Sequence, residues 1–133
     1  MGTKLFHLSD IMSVSTGRLV STRHMDGLYD ILNFMTGDNL FTHQLPRAAD
    51  ECRPYLLMEI PWLKEVDASA VSGENWQQWL QEQIVKYGEW HEVRQIHPED
   101  HAVIDPIEEL RQMAPDKPII TIILKEEDSE DMT

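Results

Sequence analysis

Histidines and carboxylates crowd one short part of the sequence, and these residue types could hold a metal ion. His97 and His101 stand four positions apart, with Glu99 and Asp100 between them. Imidazole and carboxylate groups are ligands that zinc and manganese accept. Because Pro98 directly follows His97, we instead expect a surface turn with solvated histidines, and we keep a small metal-dependent enzyme as the alternative. The residues of that alternative are His91, His97, His101 and Asp105.

Neighbouring carboxylates are the other groups that could carry chemistry, as a general acid and a general base. The pairs 99–100 and 108–109 stand in a chain with 24 acidic residues, and adjacent side chains on a helix do not face each other. The single Cys52 lies on a predicted apolar helix face, which is typical of core packing, and it excludes an internal disulfide. The sequence contains no phosphate-binding loop, no GxGxxG motif and no GxSxG motif. It therefore favours a non-enzymatic protein, and it predicts no cofactor.

Hydrophobic periodicity predicts about four or five helices, whose starts are marked by polar residues that can accept a backbone hydrogen bond. We expect Ser9, Asp26 and Ser72 to cap three of these helices. A further helix should begin at Asp105, because Pro106 suits the first helical position. The caps divide the chain into short helical segments.

One helical pattern, over 41–60, contains an internal proline. Pro54 lacks the N–H that a helix interior needs and clashes with the preceding turn. We therefore expect a break or kink near Arg53.

Three segments have the composition of strands: 3–7, 89–96 and the β-branched run 119–124. Strands at both ends and helices between them predict an α+β fold, with the helices packed on a small sheet of about three strands. We expect a single domain over 1–124, because 133 residues suit one hydrophobic core. Residues 125–133 form an acidic tail, which we expect to be solvated.

Charge is distributed unevenly along the chain. Residues 1–48 carry four basic and four acidic side chains, so the whole formal charge of −13 lies in residues 49–133. An acidic field repels nucleic acid and anionic membranes and attracts basic proteins. No apolar run approaches the roughly 20 residues of a membrane span. We expect neither direct nucleic-acid binding nor membrane insertion. Solubility alone is the alternative explanation of the acidity.

A distinctive stretch lies between residues 16 and 57. It reads Thr-Gly-Arg-Leu-Val-Ser from Thr16, then Met-Asp-Gly-Leu-Tyr-Asp-Ile-Leu-Asn-Phe-Met-Thr-Gly-Asp-Asn-Leu-Phe-Thr-His-Gln-Leu-Pro-Arg from Met25, then 52–57. This stretch resembles a small family of uncharacterised proteins carried by bacteriophages, prophages and other mobile elements, and 97–120 resembles it more loosely. The resemblance implies a bacterial cytoplasm as the setting, and it implies no mechanism.

These observations favour an acidic interaction protein that binds and modulates or inhibits a host or phage protein with a basic surface. A nucleic-acid-handling or defence complex, for example of the CRISPR type, is such a target. A phage regulator or assembly factor without a nucleic-acid-related target is the third hypothesis. The polar residues of the resembling stretch could contact a partner or only form turns and caps. The candidate partner-binding residues are Glu99, Asp100, Glu108, Glu109, Asp38, His43 and Arg47.

Overall fold

Five α-helices and two β-strands form the part of the chain that the computed structural model describes, residues 2–113. In chain order they are β1 (Thr3–His7), α1 (Leu8–Thr16), α2 (Met25–Thr36), α3 (Leu45–Glu59), α4 (Trp76–Tyr87), β2 (Trp90–Arg94) and α5 (Pro106–Met113). Short 3-10 turns occupy Thr42–Gln44, Pro61–Glu65 and Pro98–Asp100. The predicted α+β class is confirmed. The described part has two strands rather than about three, and the predicted strand 119–124 and tail 125–133 lie outside it.

The two strands pair in antiparallel register although they are far apart in sequence. Thr3 lies opposite Arg94, and His7 lies opposite Trp90. Alternate side chains point to opposite faces of a strand, so one face of this ribbon can be buried while the other stays in water. Phe6 and Val93 occupy the buried face, and each is only 1% exposed. The ribbon therefore fixes the start of the chain to the segment that follows α4.

Helices α1, α2 and α3 pack against one another and form most of the core. Ile11, Ile31 and Leu56 are among its fully buried side chains. Burying one such side chain stabilises the fold by about 1.5–3 kcal/mol, an upper figure because the unfolded chain already hides some surface. Cys52 lies in this core, as the sequence predicts, and burial raises the pKa of its thiol to about 12. Among the helices of residues 2–113, none combines the length and apolar composition that crossing a bilayer requires.

Several predicted helix starts are wrong. His7 caps α1 in place of Ser9, because its Nδ1 accepts a hydrogen bond from the Ser9 N–H at 3.1 Å. The cap position of α2 is His24, and Asp26 lies within the first turn. Helix α4 begins only at Trp76, after a turn in which the Ser72 hydroxyl accepts from Glu74. The Ser9 and Ser72 side chains form local hydrogen bonds, but neither residue occupies the cap position of its helix.

The third helix does not break near Arg53, so this half of the predicted break or kink is wrong. Helix α3 continues through Pro54, which lies exposed on its outer side. Ala48, Cys52 and Leu56 follow at intervals of four residues and are all buried. Their packing extends along one face on both sides of the proline, so tertiary contacts hold the helix together where local propensity disfavours it.

Candidate functional site

Residues 97–113, here called the strap, follow β2 and end with α5. Asp105 begins this helix as the sequence predicts, because its Oδ1 accepts hydrogen bonds from the N–H groups of Ile107 (2.9 Å) and Glu108 (3.1 Å). Pro106 occupies the first helical position. The strap packs near the 3-10 turn 42–44 and α3, and buried polar groups make this contact.

A guanidinium–carboxylate pair forms the centre of the contact. Arg47 Nε lies 2.9 Å from Glu109 Oε2, and its NH2 group lies 2.8 Å from Oε1, so the pair is bidentate. The NH1 group donates to Glu51 Oε2 at 2.9 Å and to the carbonyl of Ala102 at 2.8 Å. Glu109 is 5% exposed. Paired forks of this kind are among the strongest protein hydrogen bonds, and they fix geometry as well as charge.

The pair holds both groups in their charged forms. The hydrogen bonds from Arg47, with a smaller contribution from Gln44, lower the pKa of Glu109 although burial opposes this. Glu109 in turn raises the pKa of Arg47. Each group is therefore more strongly ionised in the folded protein than in water.

His101 anchors the strap at a second point. Its Nδ1 lies 2.6 Å from Glu51 Oε1, and its Nε2 lies 2.8 Å from Asp38 Oδ2. The hydrogen bond from His101 lowers the pKa of Asp38. The imidazole side chain is 2% exposed, and both ring nitrogens are engaged. His101 is therefore positioned to hold the strap and not to exchange protons with a substrate.

Two neighbouring side chains complete the attachment. Gln44 Nε2 donates to the carbonyl of Ile104 and to Glu109 Oε1, both at 3.0 Å. His43 Nε2 lies 2.7 Å from the carbonyl oxygen of Pro106. We call the ionisable residues of this network the clasp: Asp38, Arg47, Glu51, His101 and Glu109.

The structure brings together four of the seven predicted partner-binding residues, but their contacts are within the protein. Asp38, His43, Arg47 and Glu109 all bond to groups of this chain. The other three, at 99, 100 and 108, are exposed. Asp100 accepts a hydrogen bond from the Tyr55 hydroxyl, and this bond raises the pKa of Tyr55.

Sequence reasoning missed Glu51 and Gln44. The spacing of four between Arg47 and Glu51 was a readable signal for an ion pair on one helix face. No sequence pattern near Gln44 indicates that it belongs to this site. The expectation of solvated histidines is wrong for His101, because two carboxylates from distant segments enclose it.

The residues of the metal alternative do not share a common site. His91 Nε2 bonds to the carbonyl of Gly88 at 3.1 Å, and His97 packs against the ring of Tyr55. Asp105 caps α5, while His101 belongs to the clasp. Within residues 2–113, no three His, Cys, Asp or Glu side chains are grouped so that they could hold a metal ion.

A serine–histidine–carboxylate chain near α1 superficially resembles a hydrolase triad. His7 Nδ1 lies 2.7 Å from Ser9 Oγ, and His7 Nε2 lies 3.2 Å from Glu89 Oε2. Ser9 is fully buried, and its Oγ also accepts a hydrogen bond from the Thr22 N–H. A substrate carbonyl therefore cannot reach the hydroxyl, and the arrangement serves to cap α1.

Asp10 is the centre of a further buried polar group. Its carboxylate accepts from Ser21 Oγ at 2.5 Å and from Arg23 at 2.6 Å, and it is 1% exposed. Arg23 also pairs with Asp30 at 3.1 Å. Two carboxylates thus neutralise the guanidinium, so this group leaves no spare positive charge for an anionic ligand.

The fold and the clasp define a small α+β protein in which a strap is held by buried ion pairs. Residues 6–66, slightly less than half of the chain, match the family model described as Domain of unknown function (DUF7736). The matching region includes Asp38, Arg47 and Glu51, whereas His101 and Glu109 lie beyond it. No curated protein and no solved structure matches the chain. The clasp thus attaches the strap to the region that matches the family model.

Proposed function

We propose that this chain is a non-enzymatic, acidic binding protein that associates with a basic surface on a host or phage protein. The supporting observation is that basic side chains of the N-terminal part form bonds within the chain. Lys4, Arg23 and Arg47 form ion pairs within the chain, and Arg18 donates to the carbonyl of Val71. Many carboxylates between residues 49 and 113 are exposed. The resulting acidic surface favours encounter with cations.

A protein that handles nucleic acid is a partner with a basic surface of this kind. These proteins carry arginine and lysine where phosphates bind, and exposed carboxylates can compete for the same side chains. A bacterial defence complex, for example of the CRISPR type, is a target of this chemistry. The origin in a phage or mobile element, and with it the bacterial cytoplasm as the setting, rests on the sequence resemblance of residues 16–57.

The contact residues of this proposal are Glu99, Asp100 and Glu108. Glu99 has no ion-pair partner within residues 2–113, and Glu108 is 3.8 Å from an exposed Arg111. Glu109 does not belong to the contact set, because Arg47 covers its carboxylate. Asp38, His43, Arg47 and Glu109 act indirectly, by holding the strap in place.

A capture experiment followed by kinetics tests the proposal. The chain is immobilised, the partner is recovered from bacterial lysate and purified, and association is measured across a salt series. We expect the association rate to fall as salt rises, because screening shortens the reach of exposed charges to about 8 Å near 0.15 M salt. The proposal is wrong if the partner lacks a basic surface or if association is indifferent to salt. The first of these results would favour a regulator or assembly factor.

Matched variants examine the contribution of the strap carboxylates. The triple change Glu99→Gln, Asp100→Asn and Glu108→Gln should slow association as added salt does. The control removes three other exposed carboxylates, through Glu65→Gln, Glu74→Gln and Glu82→Gln. Both triple variants have the same net charge, so a larger effect of the first shows that location matters. Equal effects would assign the attraction to total charge alone.

A further inference from the structure

The strap buries two of its ionisable side chains and exposes two of its apolar ones, which is the reverse of the usual arrangement. His101 is 7% exposed and Glu109 is 5% exposed, whereas Val103 is 80% exposed and Ile107 is 47% exposed. Buried polar groups and clustered exposed apolar groups are the departures from ordinary surfaces that carry information. Val103 and Ile107 stand four positions apart, on either side of the Asp105 cap. Both side chains are therefore exposed near the start of α5, within four residues of each other along the chain.

The clasp fixes this apolar surface without covering it. Hydrogen bonds from Arg47 to Ala102, and from Gln44 to Ile104, hold the backbone on both sides of Val103. The strap is thus ordered by polar contacts made on its inner side. A partner that binds the outer side would not have to order the segment, and preorganisation of this kind favours binding.

We propose that Val103 and Ile107 are the apolar anchors of a docking surface, and that this surface takes a protein segment in which lysine or arginine flanks an apolar side chain. This inference rests on the proposed function and gives its partner a more specific chemistry. Stable interfaces commonly have an apolar centre and a polar rim. The rim consists of the exposed carboxylates Glu99, Asp100, Asp105 and Glu108.

Charge complementarity favours this occupant over a second copy of the chain. A second copy of the chain would bring its own acidic surface, with a formal charge of −13, against the same carboxylates. A basic segment is complementary to both parts of the surface, because its cations would pair with the carboxylates while its apolar group would contact Val103 and Ile107.

Peptide binding separates the apolar contribution from the general attraction between charges. The first probe is a fluorescein-labelled 12-residue peptide of alternating lysine and leucine, and the second replaces each leucine by serine at equal charge. The double variant Val103→Ser and Ile107→Ser is compared with the control Val85→Ser and Met58→Ser. The control side chains are 81% and 64% exposed and lie on α4 and α3. All four positions are exposed, so the substitutions remove little packing.

At about 0.15 M salt we expect the strap variant to bind the lysine–leucine peptide about tenfold more weakly than the unchanged chain, a loss typical of truncated interface anchors. The control variant should stay within about twofold, and the lysine–serine peptide should not distinguish the variants. A photoreactive phenylalanine analogue in the peptide should crosslink to residues 97–113.

Two results would overturn the docking surface. One is equal affinity of the strap and control variants for the lysine–leucine peptide, and the other is crosslinking elsewhere on the chain. If the salt-sensitive association with the captured protein persists in either case, the proposed function stands and only the docking surface is wrong. If the captured protein associates independently of salt, the proposed function itself fails.

Discussion

Replacing Arg47 by methionine tests the clasp directly, because methionine keeps an apolar stem and removes the guanidinium. The change deletes four hydrogen bonds: two to Glu109, one to Glu51 and one to the carbonyl of Ala102. Glu109, which is 5% exposed in the unchanged chain, would keep Gln44 as a side-chain partner. A buried carboxylate would thus lose its compensating charge.

The expected cost follows from the burial of the two partners. Removing one partner of a buried ion pair destabilises a protein by about 3–5 kcal/mol. Arg47 is 23% exposed, so water can partly replace the guanidinium and the lower end of this range applies. We therefore expect Arg47→Met to reduce the free energy of unfolding by about 3 kcal/mol.

Urea denaturation measures this loss, and Arg111→Met provides the control. Arg111 is 59% exposed and lies 3.8 Å from Glu108, so its replacement should cost under about 1 kcal/mol. Hydrogen exchange of the strap amides should increase in Arg47→Met and remain unchanged in the control. Glu109→Gln in the Arg47→Met background should recover part of the loss, because it removes the uncompensated charge.

The reasoning about the clasp would be refuted by a loss below about 1 kcal/mol, or by a loss no larger than that of Arg111→Met. It would equally be refuted if Glu109→Gln gave no recovery. In those cases the packing of α5 and not the ion pair would hold the strap.

Three further outcomes can be measured. The pKa of Glu109 is lowered from its ordinary value of 4.5, so its stabilising contribution is present above about pH 4.5 and is lost as pH falls through the lower folded value. In acid denaturation, the free energy of unfolding of Glu109→Gln should therefore depend less on pH over that range than that of the unchanged chain. The Cys52 thiol, whose pKa burial raises to about 12, should react with a thiol reagent only as fast as the protein unfolds, and rapid labelling of the folded protein would contradict its burial. Gly27→Ala should destabilise by about 1–3 kcal/mol although alanine favours helices, because its Cβ would collide with Ser21 Oγ and the Asp10 carboxylate; Gly73→Ala, which meets nothing within 4 Å, is the control in the same thermal denaturation assay.

Local signals in the sequence predicted local structure well. The strand Thr3–His7 and the Asp105 cap of α5 both follow from residues within one or two turns of each other. The failures at Ser9 and Pro54 have a different cause. At Ser9 a neighbouring histidine accepts the bond instead, and at Pro54 core packing outweighs the local cost.

The clasp could be predicted only in part, because it joins positions about sixty residues apart. Arg47 and Glu51 have the spacing of a helical ion pair, which the sequence displays. Arg47 pairs with Glu109 and not with its exposed neighbour Glu108 because of the side of α5 that faces the 3-10 turn. A single sequence does not show which side of one element faces another. The selection of His101 over His97 depends in the same way on the path of the strap.

The antiparallel ribbon of β1 and β2 also determines when folding can be completed during synthesis. At about 5–20 residues per second, the ribosome needs about 4–17 s to make the chain between the end of β1 and the end of β2. During that interval β1 has no strand to pair with, and Phe6 lacks the cover that β2 later provides. The first strand made can therefore pair only after one of the last described elements has been made. Until then the nascent chain carries an open strand edge that chaperones or other unfinished chains can bind.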